Sequence, residues 1–175
     1  MRFALVALAV ALAPAAVAAQ GHPQTREGFW IGFGLGYGSL GFECSGCTND
    51  RTGGLSGYLK LGGKLSDKLL LGGETNGWSK DDQGTMVTAA NASVVLYFYP
   101  SATGGFFLRG GLGWATLDIE GLGSESGGGA VFGLGYDVRV SRNMSLVPVL
   151  NFAGGALAND FKQNVVQIAL GLTWH

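Results

Sequence analysis

The stretch Val165–His175, Val-Val-Gln-Ile-Ala-Leu-Gly-Leu-Thr-Trp-His, restricts what the rest of the chain can build. In an extended backbone Val166, Ile168, Leu170, Leu172 and Trp174 share one side, and Gln167, Ala169, Gly171, Thr173 and His175 share the other. Period-two alternation reads as a strand whose one face is apolar and whose other face is small and polar. Both its hydrogen-bonding edge and its apolar face need cover. A closed barrel in lipid supplies both, because closure removes edges and lipid covers the outer face.

The amino-acid content agrees. The chain is 47% hydrophobic and 13% charged, yet past its amino terminus it has no apolar run of the roughly 20 residues that a membrane-spanning helix needs. Gly (32) and Pro (4) make up about a fifth of the 175 residues, below the roughly 25–30% typical of low-complexity chains. Hydrophobic content without hydrophobic helices is the signature of a membrane barrel. The formal net charge of -1 points to no nucleic-acid partner.

The segment Met1–Ala19 reads as a secretory signal peptide. Arg2 supplies a positive start, Phe3–Val17 an apolar run interrupted by Pro14, and Val17-Ala18-Ala19 a small-residue cleavage site. Residues 20–175 then form one domain, with Gln20–Glu27 as a polar lead-in.

Eight strands follow from the alternation. The first, Gly28–Leu40, sets Phe29, Ile31, Phe33, Leu35 and Tyr37 against Trp30, Gly32, Gly34, Gly36 and Gly38. The next are Leu55–Leu65, Leu69–Trp78, Thr85–Tyr99 and Gly105–Leu117. Ala130–Ser141 places Phe132, Leu134, Tyr136, Val138 and Val140 on one face; Met144–Phe152 and the closing strand complete the set. Glu43–Gly54, Ser79–Gly84, Asp118–Gly129 and Ala153–Lys162 have the composition of loops. The connections after the first, third, fifth and seventh strands are therefore expected to be the longer ones, and to face the exterior. Both termini are then expected in the periplasm.

Lys60, Lys64, Glu74, Arg109, Asp137 and Arg139 all fall opposite the apolar face. Six charges do not share a sealed apolar pocket, as a soluble lipocalin-like barrel would require, whereas a polar membrane-barrel lumen accommodates them. Counting seven positions either way from Asp67 places Lys60 opposite Glu74. A buried charge network of these six residues is expected. Its bland role is a structural plug, since buried charges need partners; its sharper role is a gate. An eight-stranded barrel is just wide enough for side chains to fill, which favours the plug.

Phe106-Phe107-Leu108-Arg109-Gly110-Gly111-Leu112-Gly113, Gly133-Leu134-Gly135-Tyr136-Asp137 and Leu170-Gly171-Leu172-Thr173-Trp174-His175 resemble the small eight-stranded outer-membrane barrels typified by outer membrane proteins A, W and X. The resemblance implies an all-β, antiparallel transmembrane barrel in a bacterial outer membrane. It also implies that Ile168, Leu170, Leu172 and Trp174 form a signal read by the barrel-assembly machinery, with His175 displacing the usual terminal aromatic. Outer-membrane lipid and that machinery are the expected partners, and the barrel is expected to be a monomer without a peptidoglycan-binding domain.

Three functions are weighed: a structural or surface-interaction barrel, a narrow channel or carrier for ions or small hydrophobic molecules, and a lipid A-modifying enzyme. The enzyme is disfavoured because the chain's two histidines, His22 and His175, fall in the lead-in and at the terminus, away from an exterior rim where a base would meet lipid. Cys44-Ser45-Gly46-Cys47 reads as a local disulfide in an exported protein, without the βαβ context of a redox motif or a second ligand pair for zinc. Gly36–Gly41 fits a dinucleotide fingerprint without its helix, a product of a Gly-rich strand. Asp81, Asp82, Asp118, Glu120 and Glu125 read as solvating loop acids. No cofactor is expected.

Overall fold

A computed structural model describes residue 26 and residues 28–43, 51–157 and 162–175. It contains nine strands: β1 Phe29–Glu43, β2 Arg51–Ser66, β3 Leu69–Asp82, β4 Thr85–Phe98, β5 Phe106–Ile119, β6 Gly123–Tyr136, β7 Val138–Ser141, β8 Met144–Ala156 and β9 Lys162–Trp174. Each pairs antiparallel with its sequence neighbour, except that β6 and β7 both pair with β8 and so act as one stave. The first and last strands meet, Ile31 opposite Trp174 through Glu43 opposite Lys162. The eight staves therefore close into an antiparallel barrel without a free edge along its wall.

The staves run longer than expected. Arg51–Gly54, Ser79–Asp82, Asp118–Ile119, Gly123–Gly129 and Ala153–Ala156 are strand, where their composition reads as loop. Gly, Ser and acidic residues there mark exposure to water, and backbone pairing across each hairpin suffices to extend the ladder. The predicted alternation of loop lengths fails accordingly. The connections after the third and fifth staves shrink to residues 83–84 and 120–122, and the longest described connection, 99–105, follows the fourth. Gln83 and Gly84 both have positive φ (55° and 89°), the backbone of a two-residue hairpin whose twist matches its strands.

The sixth stave is broken, contrary to the single strand expected over Ala130–Ser141. Asp137 leaves the ladder and donates its N–H to the Gly105 carbonyl at 2.9 Å. The break interrupts the alternation at a single position. Val138 is buried, between Asp137 and Arg139, while Val140 faces out like Phe132, Leu134 and Tyr136.

Outside, the apolar face is exposed: Leu35 at 67%, Leu112 at 75% and Ile168 at 64%. Fourteen residues of strand extend about 46 Å, more than the 9–11 residues that cross a bilayer at a tilt. The apolar band takes the part nearer the termini. Phe29, Phe98, Phe106, Tyr136 and Trp174 ring that end, with Phe33 and Trp174 rings 5.8 Å apart. Tyr37 and Trp114 stand eight residues farther along β1 and β5, about 26 Å of extended chain, which suits an apolar band of about 25 Å. Beyond it the surface turns polar, with Lys80, Asp81, Asp82, Asp118 and Glu120 around the β3–β4 and β5–β6 turns.

Candidate functional site

The site to examine is the lumen, and it is filled. Bulky inward side chains lie over inward glycines of neighbouring staves. A Cβ on Gly34 would meet the Tyr58 ring at 2.5 Å, and one on Gly171 would collide with the Tyr58 hydroxyl. Cβ atoms on Gly62 and Gly72 would each lie 2.8 Å from the Trp30 ring, and one on Gly135 would lie 2.5 Å from Phe107. The glycines thus supply the volume that the aromatics occupy, as close packing demands. Two apolar layers result. Trp30, Tyr58, Val95, Tyr97, Phe107, Val147 and Val149 belong to the one nearer the termini, and Leu40, Trp78, Ala89, Ala115, Leu117 and Leu157 to the one beyond. Trp78 is fixed by donating its Nε1–H to the Gly38 carbonyl at 3.0 Å.

Between the layers lies a polar belt centred on Glu74. Its Oε2 takes an ion pair from Arg109 and a hydrogen bond from the Tyr97 hydroxyl, and its Oε1 accepts from Asn76 Nδ2 at 2.7 Å. Both charged side chains are fully buried. Asn151 Nδ2 donates to Gln167 Oε1 at 2.9 Å and to Asn76 Oδ1 at 3.3 Å, tying β8 to β9 and across the lumen to β3. Burial makes the pairing of Glu74 with Arg109 matter, since an unpaired ion in such a place costs several kcal/mol.

A second polar centre closes the terminus-side mouth. Arg26, from the lead-in, is buried with its guanidinium 3.6 Å from the centre of the Tyr99 ring. It donates to the carbonyls of Ala102 (3.2 Å) and Gly104, and its Nε lies 3.6 Å from Asp137 Oδ2. Asp137 also accepts from the Tyr99 hydroxyl at 2.9 Å. Arg139 donates to the Arg142 carbonyl at 3.4 Å.

The six charges of the expected network therefore do not form one network. Lys60 does stand opposite Glu74 in register, but Glu74 is occupied by Arg109. Lys60 instead sits among the rings of Trp30, Tyr58, Tyr97 and Phe107, 5.3 to 5.8 Å from their centres. Lys64 is a correction: a ladder irregularity between Lys64 and Ser66 puts it at the rim, where it reaches back to exposed Asp67 at 2.8 Å. That pair holds the Asp67 carboxyl below the usual carboxylate range, chiefly through the hydrogen bond. Ile168, Leu170, Leu172 and Trp174 lie on the outward face of β9. Cys44, Cys47, His22 and Met1–Ala19 lie outside the described residues.

Arg26 is the functional residue that sequence reasoning missed, because a lone arginine in a polar lead-in carries no pattern. Asn76, Tyr97 and Gln167 are buried on the inward side of β3, β4 and β9, but their partners depend on distances across the lumen. At the rim beyond the membrane band, the acids serve local structure. Asp81 Oδ1 accepts the Gly84 N–H at 2.8 Å, Glu120 Oε2 accepts the Met86 N–H at 3.2 Å, and Asp82 lies 3.8 Å from Lys80.

Little space remains inside. A cavity of about 20 Å³ lies between the layers, beside Asn76, Trp78, Asn151 and Gln167. Another of about 10 Å³ touches Lys60 and His175. Each has room for about one water molecule.

The chain matches a known family. A family model described as the outer membrane protein beta-barrel domain matches residues 3–173. The chain belongs to that family. Among solved structures it is similar to Ail, the attachment invasion locus protein of Yersinia pestis, at 16% identity and a TM-score of 0.57, covering 85% of this chain and 99% of Ail. A complex of the same protein with the heparin analogue sucrose octasulfate gives 15% identity and a TM-score of 0.55 over the same shares. Neisserial surface protein A is similar at 14% identity and a TM-score of 0.53, covering 86% of this chain and 99% of that one. These identities speak for the fold alone. No curated protein sequence matches significantly. Membership places the chain in the bacterial outer membrane.

Proposed function

We propose that this family member is a closed barrel with a plugged lumen, acting as a structural or surface-interaction protein through the end that carries the β3–β4 and β5–β6 hairpins. The Glu74–Arg109 pair carries this proposal: it is wholly buried between two apolar layers. A path for ions would have to break that pair and displace aromatic rings, so a channel has the weaker support. The offset of the apolar band supports an orientation with both termini in the periplasm and the polar hairpins outside. On this proposal the partners in biogenesis are lipid and the barrel-assembly machinery, with the outward face of β9 as its signal.

The described exterior rim carries Asp81, Asp82, Asp118, Glu120 and Glu125 against Arg51, Lys80 and Lys162. Such an acidic rim disfavours sulfated polyanions, so the sucrose octasulfate bound by Ail is not carried over to this chain. Single cysteines at Gln83 and Leu122 on a cysteine-free background, labelled on intact cells with an impermeant maleimide, test the orientation. Labelling there with protection at Asp67→Cys supports the proposal, and the reverse pattern refutes it.

A further inference from the structure

Among the described residues Lys60 is a buried ammonium in no ion pair. The buried ionic residues among those described are Arg26, Lys60, Arg109 and Arg139 against Glu74 and Asp137. Each carboxylate already receives an arginine and a tyrosine hydroxyl, Glu74 from Arg109 and Tyr97, Asp137 from Arg26 and Tyr99. Lys60 makes no ion pair or hydrogen bond among the described residues, and its surrounding rings compensate its charge in part. An ammonium has three N–H groups to satisfy, and a ring face is a poor acceptor for them.

Two neutral donors share the place. Trp30 Nε1 and Thr173 Oγ1 are buried, and neither has a hydrogen-bond partner among the described residues. All three residues line the cavity of about 10 Å³, with His175 at its edge. Thr173 Oγ1, the Leu172 carbonyl oxygen and Lys60 Cε crowd one point, 2.6, 2.8 and 2.9 Å from where a Cβ on Gly32 would stand. The glycine at position 32 lets Lys60 and Thr173 approach each other this closely. Donors converge from β1, β2 and β9, and the charge they surround is positive.

We propose that this cavity binds one small monovalent anion of the halide class, held by Lys60 Nζ, Trp30 Nε1 and Thr173 Oγ1. Its size excludes phosphate and organic carboxylates. A halide there would neutralise Lys60 and accept from both orphaned donors.

Crystals of the refolded barrel grown with sodium bromide test this directly. An anomalous peak within hydrogen-bond distance of Lys60 Nζ and Thr173 Oγ1 is expected; a featureless site beside a well-ordered Lys60 overturns the proposal. Unfolding in vesicles, with chloride exchanged for bulky isethionate at constant ionic strength, gives a second readout. Chloride at ten times its Kd should lower the wild-type unfolding constant about tenfold. Lys60→Met should abolish that dependence and Thr173→Val should weaken it, the latter keeping the charge should the former fail to fold. Equal chloride dependence in wild type and Thr173→Val overturns the site.

Discussion

Replacing Arg109 with methionine strips the lumen of its central cation while nearly keeping its volume. Two unit charges at a contact distance of about 3 Å attract by about 5 kcal/mol at an effective dielectric of 20. No discount for solvent applies, because both side chains are fully buried. Glu74 would keep the hydrogen bonds of Asn76 and Tyr97, so part of its solvation survives. The expected loss is therefore about 3–5 kcal/mol, the usual cost of breaking a buried pair from one side. Glu74→Gln together with Arg109→Met leaves neither member of this pair behind as an unpaired ion, and should recover at least half of that loss. Urea titration of the barrel in lipid vesicles, followed by Trp fluorescence and by gel mobility of the folded form, measures both. An Arg109→Met barrel within about 1 kcal/mol of wild type would refute the view that this pair is an essential part of the plug.

Three further outcomes follow from the wall and the mouth. Gly171→Ala should cost about 1–3 kcal/mol, because its methyl would strike the Tyr58 hydroxyl, and Tyr58→Leu should relieve part of it; Gly73→Ala, with nothing within 4 Å, should stay within about 0.5 kcal/mol in the same titration. Leu112→Arg, at 75% exposure in the apolar band, should cost about 2–4 kcal/mol in vesicles, whereas Leu122→Arg, at 83% exposure in the β5–β6 turn, should be nearly neutral. Burial pushes the His175 imidazole down to about 4 from 6.5, so the unfolded chain binds a proton first as pH falls. Stability should be full above about pH 6.5, decline toward pH 4 and then level, by at most about 3 kcal/mol; a His175→Gln barrel should lack that decline in vesicle unfolding measured across the same pH range.

Period-two alternation made the barrel legible, because lipid outside and packed side chains inside impose opposite demands on successive residues. It placed Lys60 opposite Glu74 and turned Trp30, Tyr58 and Tyr97 inward. It could not say that Glu74 would choose Arg109 over Lys60, a choice made across the lumen, where no sequence spacing measures distance. Composition misled at the staves' far ends. Gly123–Gly129 looks like a loop, yet water tolerates an exposed ladder of glycine and serine as readily as a turn. The break at Asp137 was equally hidden, and with it the burial of Val138. Arg26 had no pattern to betray it.

The most direct measurement is the conductance of the refolded barrel in a planar bilayer, with folding verified on the same sample. A plugged lumen should give a silent membrane for both wild type and the Glu74→Gln/Arg109→Met variant, since the aromatic layers remain in each. Discrete steps that scale with salt, in the wild type, would contradict the plug and make the lumen a channel.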